Sequence, residues 1–344
     1  MKKYRAAVIG CGRIGCEFDD NISRRGNLIY THAGTYYRSP YYNLVSLCDI
    51  DESKANKYAK KYSTIPETDY KKMLERHTPD VVSVCTGPES HHEIIRECVR
   101  FGVQAIYCEK PINTSVSVAK KTIKMCEKSG TILMVNHMRR FSEFHRLFAE
   151  SLQQGKYGKV VAASAGYSGG IYNSGTHLVD LLRLYFGKIK SVSAHFSFNT
   201  NATKEDPNLD AFIQFEKPMR ASIYGHALPG IFDLDITTDK FRFHINAAAL
   251  FNDQPFLEVE SREKNNYFKG SSKFTRETEA CSDILNLYSN TNNNYMLNGA
   301  AHLAKILNGT ENQVLSTGQD ALDALVVLKA MHTSATNHAQ LTFI

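Results

Sequence analysis

Residues 4–15, YRAAVIGCGRIG, constrain the fold of this chain more than any other stretch. Ala6-Ala7-Val8-Ile9 is an apolar run the length of a buried strand, and Gly10-Cys11-Gly12-Arg13-Ile14-Gly15 follows at once as a G-x-G-x-x-G. Gly10 permits a tight turn off the strand. Gly12 lacks a Cβ, so a pyrophosphate can approach the backbone, and Gly15 lets the next helix pack closely on the strand. The unpaired N–H groups at that helix start, aided by its dipole, face the phosphates. The turn therefore nominates Gly10, Gly12, Arg13, Ile14 and Gly15 as dinucleotide contacts.

After Gly15 a helix of about ten residues is expected, then a second strand over residues 43–48 that ends at Asp49. An acidic residue at this strand end accepts hydrogen bonds from ribose hydroxyls and repels a 2′-phosphate, which favours NAD and makes NADP the poorer fit. Asp49 stands 34 positions beyond Gly15, where roughly 20 is usual. About a dozen residues within 17–31 therefore read as inserted, either as a surface loop or as a lid or partner contact at the phosphate turn.

Further apolar runs at 80–85, 103–108 and 131–135 alternate with helical stretches at 51–61, 70–76, 93–101 and 115–129. Strands alternating with helices mean βαβ units and a parallel sheet. Near residue 150 the pattern changes to closely spaced strands, with in–out alternation in Phe232-Asp233-Leu234-Asp235-Ile236, followed by helices at 275–289, 293–307 and 318–336. That is the signature of an open, mainly antiparallel sheet backed by helices. The expected architecture is α/β plus α+β: a doubly wound Rossmann domain over 1–140 and a substrate-binding and oligomerisation domain over 141–344. A chain of 344 residues is too long for one core.

Composition excludes several classes. With 42% hydrophobic and 22% charged residues the chain is neither disordered nor fibrous. No apolar run reaches membrane-span length and the start lacks a secretory signal. A net charge of +6 spread over scattered lysines does not indicate a nucleic-acid partner. Eight cysteines without a C-x-x-C, several inside apolar runs, point to a reduced, cytoplasmic protein and away from metal sites.

Taken together, AVIGCGRIG, CDID at 48–51, CEKP at 108–111, VNHMRRF at 135–141, GGIYNSGTHLVDLLRLYFG at 169–187 and the tail GQDALDALVVLKAMHTSA resemble the glucose–fructose oxidoreductase / inositol dehydrogenase / MocA family. The resemblance implies a homodimeric or homotetrameric NAD(P)-dependent oxidoreductase acting on a sugar, cyclitol or nucleotide sugar. It makes Lys110 and His177 the proton-transfer residues. It places Pro88 and His92 on the cofactor-side turn, and Asn173 where the family usually has an aspartate. Asparagine keeps size and hydrogen bonding but loses the charge that would hold an imidazolium. Glu109 reads either as the residue that holds Lys110 beside the cofactor or as a strand-end carboxylate. His137 and Arg140 begin the crossing between domains; Arg140 reads either as a clamp for a substrate carboxylate or phosphate or as an interdomain salt bridge. Tyr167 ends a strand and reads either as a sugar contact or as core. Two other readings share these motifs: a lyase or glycoside hydrolase that oxidises its sugar transiently with NAD, and an NAD-binding regulatory protein with a decayed site.

Overall fold

The structure, a computed structural model, describes residues 3–24, 28–198, 203–246, 256–261, 282–290 and 294–344. The chain divides into two compact units, residues 1–141 with 293–323, and residues 142–292 with 324–344.

The first unit carries β1 (Tyr4–Ile9), α1 (His32–Arg38), β2 (Tyr42–Cys48), α2 (Glu52–Lys61), β3 (Ile65–Glu67), α3 (Tyr70–His77), β4 (Val81–Val84), α4 (Pro88–Arg100), β5 (Ala105–Cys108), α5 (Val116–Ser129) and β6 (Ile132–Val135). The strands form one sheet in the order β3-β2-β1-β4-β5-β6, with every pair parallel. The order reverses beside β1, which places a ligand crevice at the carboxyl ends of β1 and β4. The central strands β4 and β5 are short and buried on both faces, as an all-parallel sheet requires. Asp51 caps α2 by accepting from the Ser53 and Lys54 N–H groups.

Residues 16–31 explain the long gap before Asp49. A helical turn starts at the glycine loop, where Cys16 N–H donates to the Gly12 carbonyl at 2.9 Å. The chain then leaves as a 3-10 helix over Glu17–Arg24. It returns at His32 N–H, which donates to the Ile14 carbonyl at 3.1 Å, and at Ala33 N–H, which donates to the Gly15 carbonyl at 3.0 Å. These bonds span eighteen positions where an α-helix spans four. Fourteen residues are therefore interpolated into one helix, and without them Asp49 would follow Gly15 by twenty. The expected continuous helix after Gly15 is thus a split one, with α1 as its second half. The loop is tied down by its own acids. Asp20 accepts from Lys57 Nζ, Lys61 Nζ and Tyr58 OH at 2.8, 2.8 and 2.7 Å, and Glu17 pairs with Lys54 at 3.0 Å.

The second unit carries α6 (Glu143–Gln153), β7 (Val160–Ser168), α7 (Thr176–Phe186), β8 (Ile189–Phe196), β9 (Leu209–Phe215), β10 (Arg220–His226), β11 (Phe232–Thr238), β12 (Phe241–Asn246), β13 (Phe256–Ser261) and α8 (Ser282–Asn290). Then follow α9 (Tyr295–Leu307), which belongs to the first unit, α10 (Gly318–Thr336), inside which the division between units falls, and β14 (Thr342–Phe343) of the second unit. The eight-stranded sheet runs β13-β12-β11-β7-β10-β9-β8-β14. It is antiparallel except for β7 against β10. β11 alternates buried and half-buried positions as its sequence does, and its inward side chains join Phe148, Leu178, Leu182 and Phe243 in one core.

Two expectations need correction. Residues 293–323 group with the first unit rather than with 141–344, because α9 offers that sheet an apolar face: Ala300, Leu303 and Ala304 join the core of Tyr4, Tyr36 and Tyr42. Tyr42 OH also donates to the Ala300 carbonyl at 2.7 Å. The helix expected over 275–289 is helical from Ser282; residues 275–281 lie outside the described ones.

Candidate active site

The three glycines of the opening turn do different work. A Cβ on Gly10, whose φ is +98°, would sit 2.7 Å from the Cys85 carbonyl oxygen, and one on Gly15 would sit 1.9 Å from that of Gly10. Both positions are closed by backbone. A Cβ on Gly12 would meet nothing within 4 Å, so the open side of the turn is at Gly12, where a diphosphate would lie. Arg13 is exposed, with its guanidinium 5.0 Å from the Phe18 ring centroid, and Ile14 packs against the core beneath.

Beside this turn lies a cavity of about 490 Å³ lined by Gly10, Gly12, Asp49, Thr86, Ser90 and Glu93 among others. Asp49 is fixed there by two backbone donors, Cys11 N–H at 2.7 Å and Asp51 N–H at 2.9 Å. Among the described residues no Lys or Arg lines the cavity. The residues present therefore fit a dinucleotide: a glycine turn open at Gly12, a carboxylate at the ribose position and an apolar slot at Ile9, Ile50 and Ile94.

The α4 residues expected here do not line the cavity. Pro88 is the first residue of α4 and its carbonyl accepts from Asn113 Nδ2 at 3.0 Å. His92 turns toward α5, with Nδ1 2.7 Å from Thr122 Oγ1. The helix turn points Ser90, Glu93 and Ile94 at the cavity instead. The spacing of 90 and 93 on one helix face was the available signal.

Lys110 follows β5, the strand next to β4, and joins Pro111 through a cis peptide bond. The preceding Glu109 is only 6% exposed and fully occupied. Its Oε1 receives Asn136 Nδ2 at 2.6 Å and lies 3.0 Å from His32 Nε2, and its Oε2 receives the N–H of Lys110 at 3.2 Å. His32 Nδ1 lies 2.8 Å from Ser83 Oγ, which lies 2.7 Å from Tyr36 OH, while Tyr107 OH donates to Asn136 Oδ1 at 2.8 Å. Burial alone would raise the Glu109 carboxyl, but the hydrogen bond and charge of His32, the Lys110 charge and Asn136 outweigh it and hold the group below the usual glutamate range. The contact that bears on the two readings of Glu109 is the Lys110 main-chain N–H on its Oε2. His32 was missed because the interpolated residues remove it from the glycine motif in sequence.

In the second unit, residues Ile171–Gly175 form a single π turn ahead of α7, a device frequent at functional sites. Gly175 N–H reaches the Gly170 carbonyl at 3.0 Å. Asn173 is therefore exposed on the π turn rather than on α7, which begins at Thr176. Its Nδ2 donates to the Gly169 carbonyl at 3.2 Å. The carboxylate of Asp206 takes the turn's N–H groups, Tyr172 at 2.7 Å and Asn173 at 3.1 Å. An aspartate at 173 would oppose both the Gly169 carbonyl and Asp206, which accounts for asparagine. His177 lies in the first turn of α7 and is 9% exposed.

The three residues expected at the substrate are all buried. Tyr167 is core: it is 0% exposed, and its OH donates to the Leu209 carbonyl at 3.1 Å and accepts the Leu209 N–H at 2.7 Å. Arg140 is a structural tie within the first unit, 3.1 Å from Asp320 Oδ1 with its Nη1 also donating to the Leu315 carbonyl at 3.4 Å. His137, just after β6, is buried at 1% exposed.

Residues 4–137 match the oxidoreductase family with an NAD-binding Rossmann fold, and residues 130–228 match the GFO/IDH/MocA C-terminal domain. The chain belongs to the Gfo/Idh/MocA oxidoreductase family. Members similar to it include the scyllo-inositol 2-dehydrogenase (NAD(+)) of Bacillus subtilis, 27% identical over 65% of this chain and 69% of that protein. The D-glucoside 3-dehydrogenase of Escherichia coli is 27% identical over 58% and 59%. The chain spans about half the length of several curated relatives, such as 42% of the myo-inositol 2-dehydrogenase of Thermotoga maritima. The Gfo/Idh/MocA fold extends over the whole chain: the WlbA dehydrogenase of Chromobacterium violaceum, solved with NADH and UDP-GlcNAcA, superposes with a TM-score of 0.77 over 99% of this chain and 96% of its own, at 18% identity.

Proposed function

We propose that this family member is an NAD-dependent oxidoreductase that interconverts a secondary alcohol and a ketone on a sugar, cyclitol or nucleotide sugar. The observation that supports it most is the Gly12-open turn and the Asp49 cavity at the same strand ends as the fixed Glu109–Lys110 pair. Bound there, NAD supplies a hydride acceptor. The glycine loop holds the diphosphate and Asp49 the adenosine ribose; a cavity lined by a carboxylate and no base is the poorer home for the 2′-phosphate of NADP. Lys110 hydrogen-bonds the reacting oxygen, and His177, in the first turn of α7, takes or returns the hydroxyl proton, a role that suits an imidazole. Asn173, which the family resemblance makes an orienting residue, acts by holding the π turn.

The test is NADH absorbance with a panel of inositols, D-glucosides and UDP-sugars, run with NAD and with NADP. Turnover with NAD on at least one polyol is expected, and Lys110→Ala is expected to lower kcat by roughly 10²–10⁴-fold while still binding NADH. Failure of the wild-type chain to bind NADH sinks the reading. Exchange of a ring C–H with solvent deuterium without net NADH would replace it by transient-oxidation chemistry.

A further inference from the structure

Asp19, inside the interpolated segment, is 3% exposed, although the residues on either side of it are not buried. Its two oxygens close the segment: Oδ1 accepts the Tyr30 N–H at 2.9 Å and Oδ2 accepts Thr31 Oγ1 at 2.5 Å. Thr31 in turn caps the restarted helix by accepting the Gly34 N–H at 3.0 Å. Gly34 belongs to the same closure, since a Cβ there would lie 2.2 Å from Asp19 Oδ2. The first residue after this cap is His32, which reaches Glu109 Oε1 and Ser83 Oγ at 3.0 and 2.8 Å. The other Glu109 oxygen carries the backbone N–H of Lys110. Thr31 and His32 are covalent neighbours, and the contacts on either side of them run from the interpolated loop to the main chain of Lys110.

We propose that the interpolated segment is a positioning device for Lys110: Asp19 seats Thr31, Thr31 sets the register of His32, and His32 holds the Glu109 carboxylate that fixes the Lys110 backbone. Asp19 and His32 are positioning residues. The proposal rests on Lys110 being the proton-transfer residue, and it adds that the loop acts on the rate rather than on cofactor binding.

The groups that face Glu109 make the carboxylate a clean reporter. From α1 come His32 and Tyr36, from β4 and the turn after it Ser83 and Cys85, from β5 Tyr107 and Cys108, from α4 His91, from the end of β6 Asn136, and Lys110 from its own loop. Burial pushes Cys85, Cys108, Tyr36 and Tyr107 up and His91 down, so all five stay uncharged near neutrality. His32, Lys110 and Asn136 are the groups that compensate Glu109.

The experiment follows the Glu109 carboxyl stretch by infrared pH titration, identified by its absence in Glu109→Gln. In the wild type, whose carboxyl is held below the usual glutamate range, the protonated band appears only at acid pH below that range. In His32→Leu the buried carboxylate loses its largest hydrogen-bond donor, its pKa rises, and the band appears at higher pH than in the wild type. His32→Gln, which still offers a donor, restores most of the wild-type behaviour. Asp19→Ala shifts the band in the same direction as His32→Leu and by less. On a substrate found in the panel, His32→Leu and Asp19→Ala lower kcat roughly tenfold and gain an acid limb at the same pH, with the NADH dissociation constant within about twofold of wild type. An Asp19→Ala titration identical to wild type overturns the coupling, as does a His32→Leu protein whose carboxyl stays ionised. A wild-type chain that turns over no panel sugar defeats the functional reading alone, because the carboxyl titration needs no substrate.

Discussion

The two units each present one candidate proton-transfer side chain, and they support it in opposite ways. In the first unit the carboxylate that supports Lys110 is its immediate neighbour in sequence, and its partners His32, Asn136 and the Lys110 N–H come from a helix, a strand end and its own loop. In the second, the carboxylate behind the π turn that precedes His177 is Asp206, which comes from a separate and partly exposed loop and takes the backbone N–H groups of Tyr172 and Asn173. Low dielectric makes the first arrangement rigid and intolerant of loss. The second resembles a helix cap, whose loss water can partly make good. The difference teaches where precision is built in: the buried carboxylate beside Lys110 is locked, and the turn ahead of His177 is held by a replaceable brace.

The largest effect should come from Glu109→Ala. It strands the donors on His32, Asn136 and Lys110 in a buried site, and about 3 kcal/mol of stability should be lost. Asp206→Ala should cost about 1 kcal/mol, as for an N-cap. Denaturant midpoints of the two variants measure the contrast directly, and equal losses would break it. Asn173→Asp sharpens it further. The new carboxylate faces the Gly169 carbonyl and Asp206, so its folded-state pKa is raised above its unfolded value. The variant should be less stable than wild type by roughly 0.5–1 kcal/mol above its folded pKa, and the gap should close as pH falls through that value toward the unfolded one. A gap independent of pH would mean that residue 173 does not feel Asp206.

The same contrast governs how much was legible in the sequence. Lys110, Asp49 and the glycine turn are read from a strand followed at once by its functional loop, because parallel α/β sheets put ligands at strand ends and the motif is local. The strands and helices of both units follow from periodicity for the same reason. What the sequence hid is whatever depends on residues far apart. His32 belongs to the glycine-loop helix but sits fourteen residues too late. Asp206 caps a turn more than thirty positions before it. α9 returns to a core laid down by β1 and β2. Tyr167 illustrates the reverse error: a strand-end tyrosine looks like a ligand contact until the Leu209 backbone is seen to take both its donor and its acceptor.

The smallest effect belongs to the loop's outer tie. Asp20 faces the cost of partial desolvation, but hydrogen bonds from Lys57, Lys61 and Tyr58 and the Lys61 charge bring its pKa down to about 2. A depressed carboxylate contributes stability above its unfolded pKa of about 3.9 and loses that contribution as pH falls through the folded value. The Asp20→Asn variant should therefore differ from wild type at pH 6 and converge with it toward pH 2. The difference should be only a few tenths of a kcal/mol, because the pair is solvent-exposed and screened. Salt separates this tie from the inner one: added NaCl should erase the Asp20 contribution and leave that of the buried Asp19 closure in place. If salt removed both equally, the inner closure would be as wet as the outer tie, and the route from the loop to Lys110 would have no rigid first link.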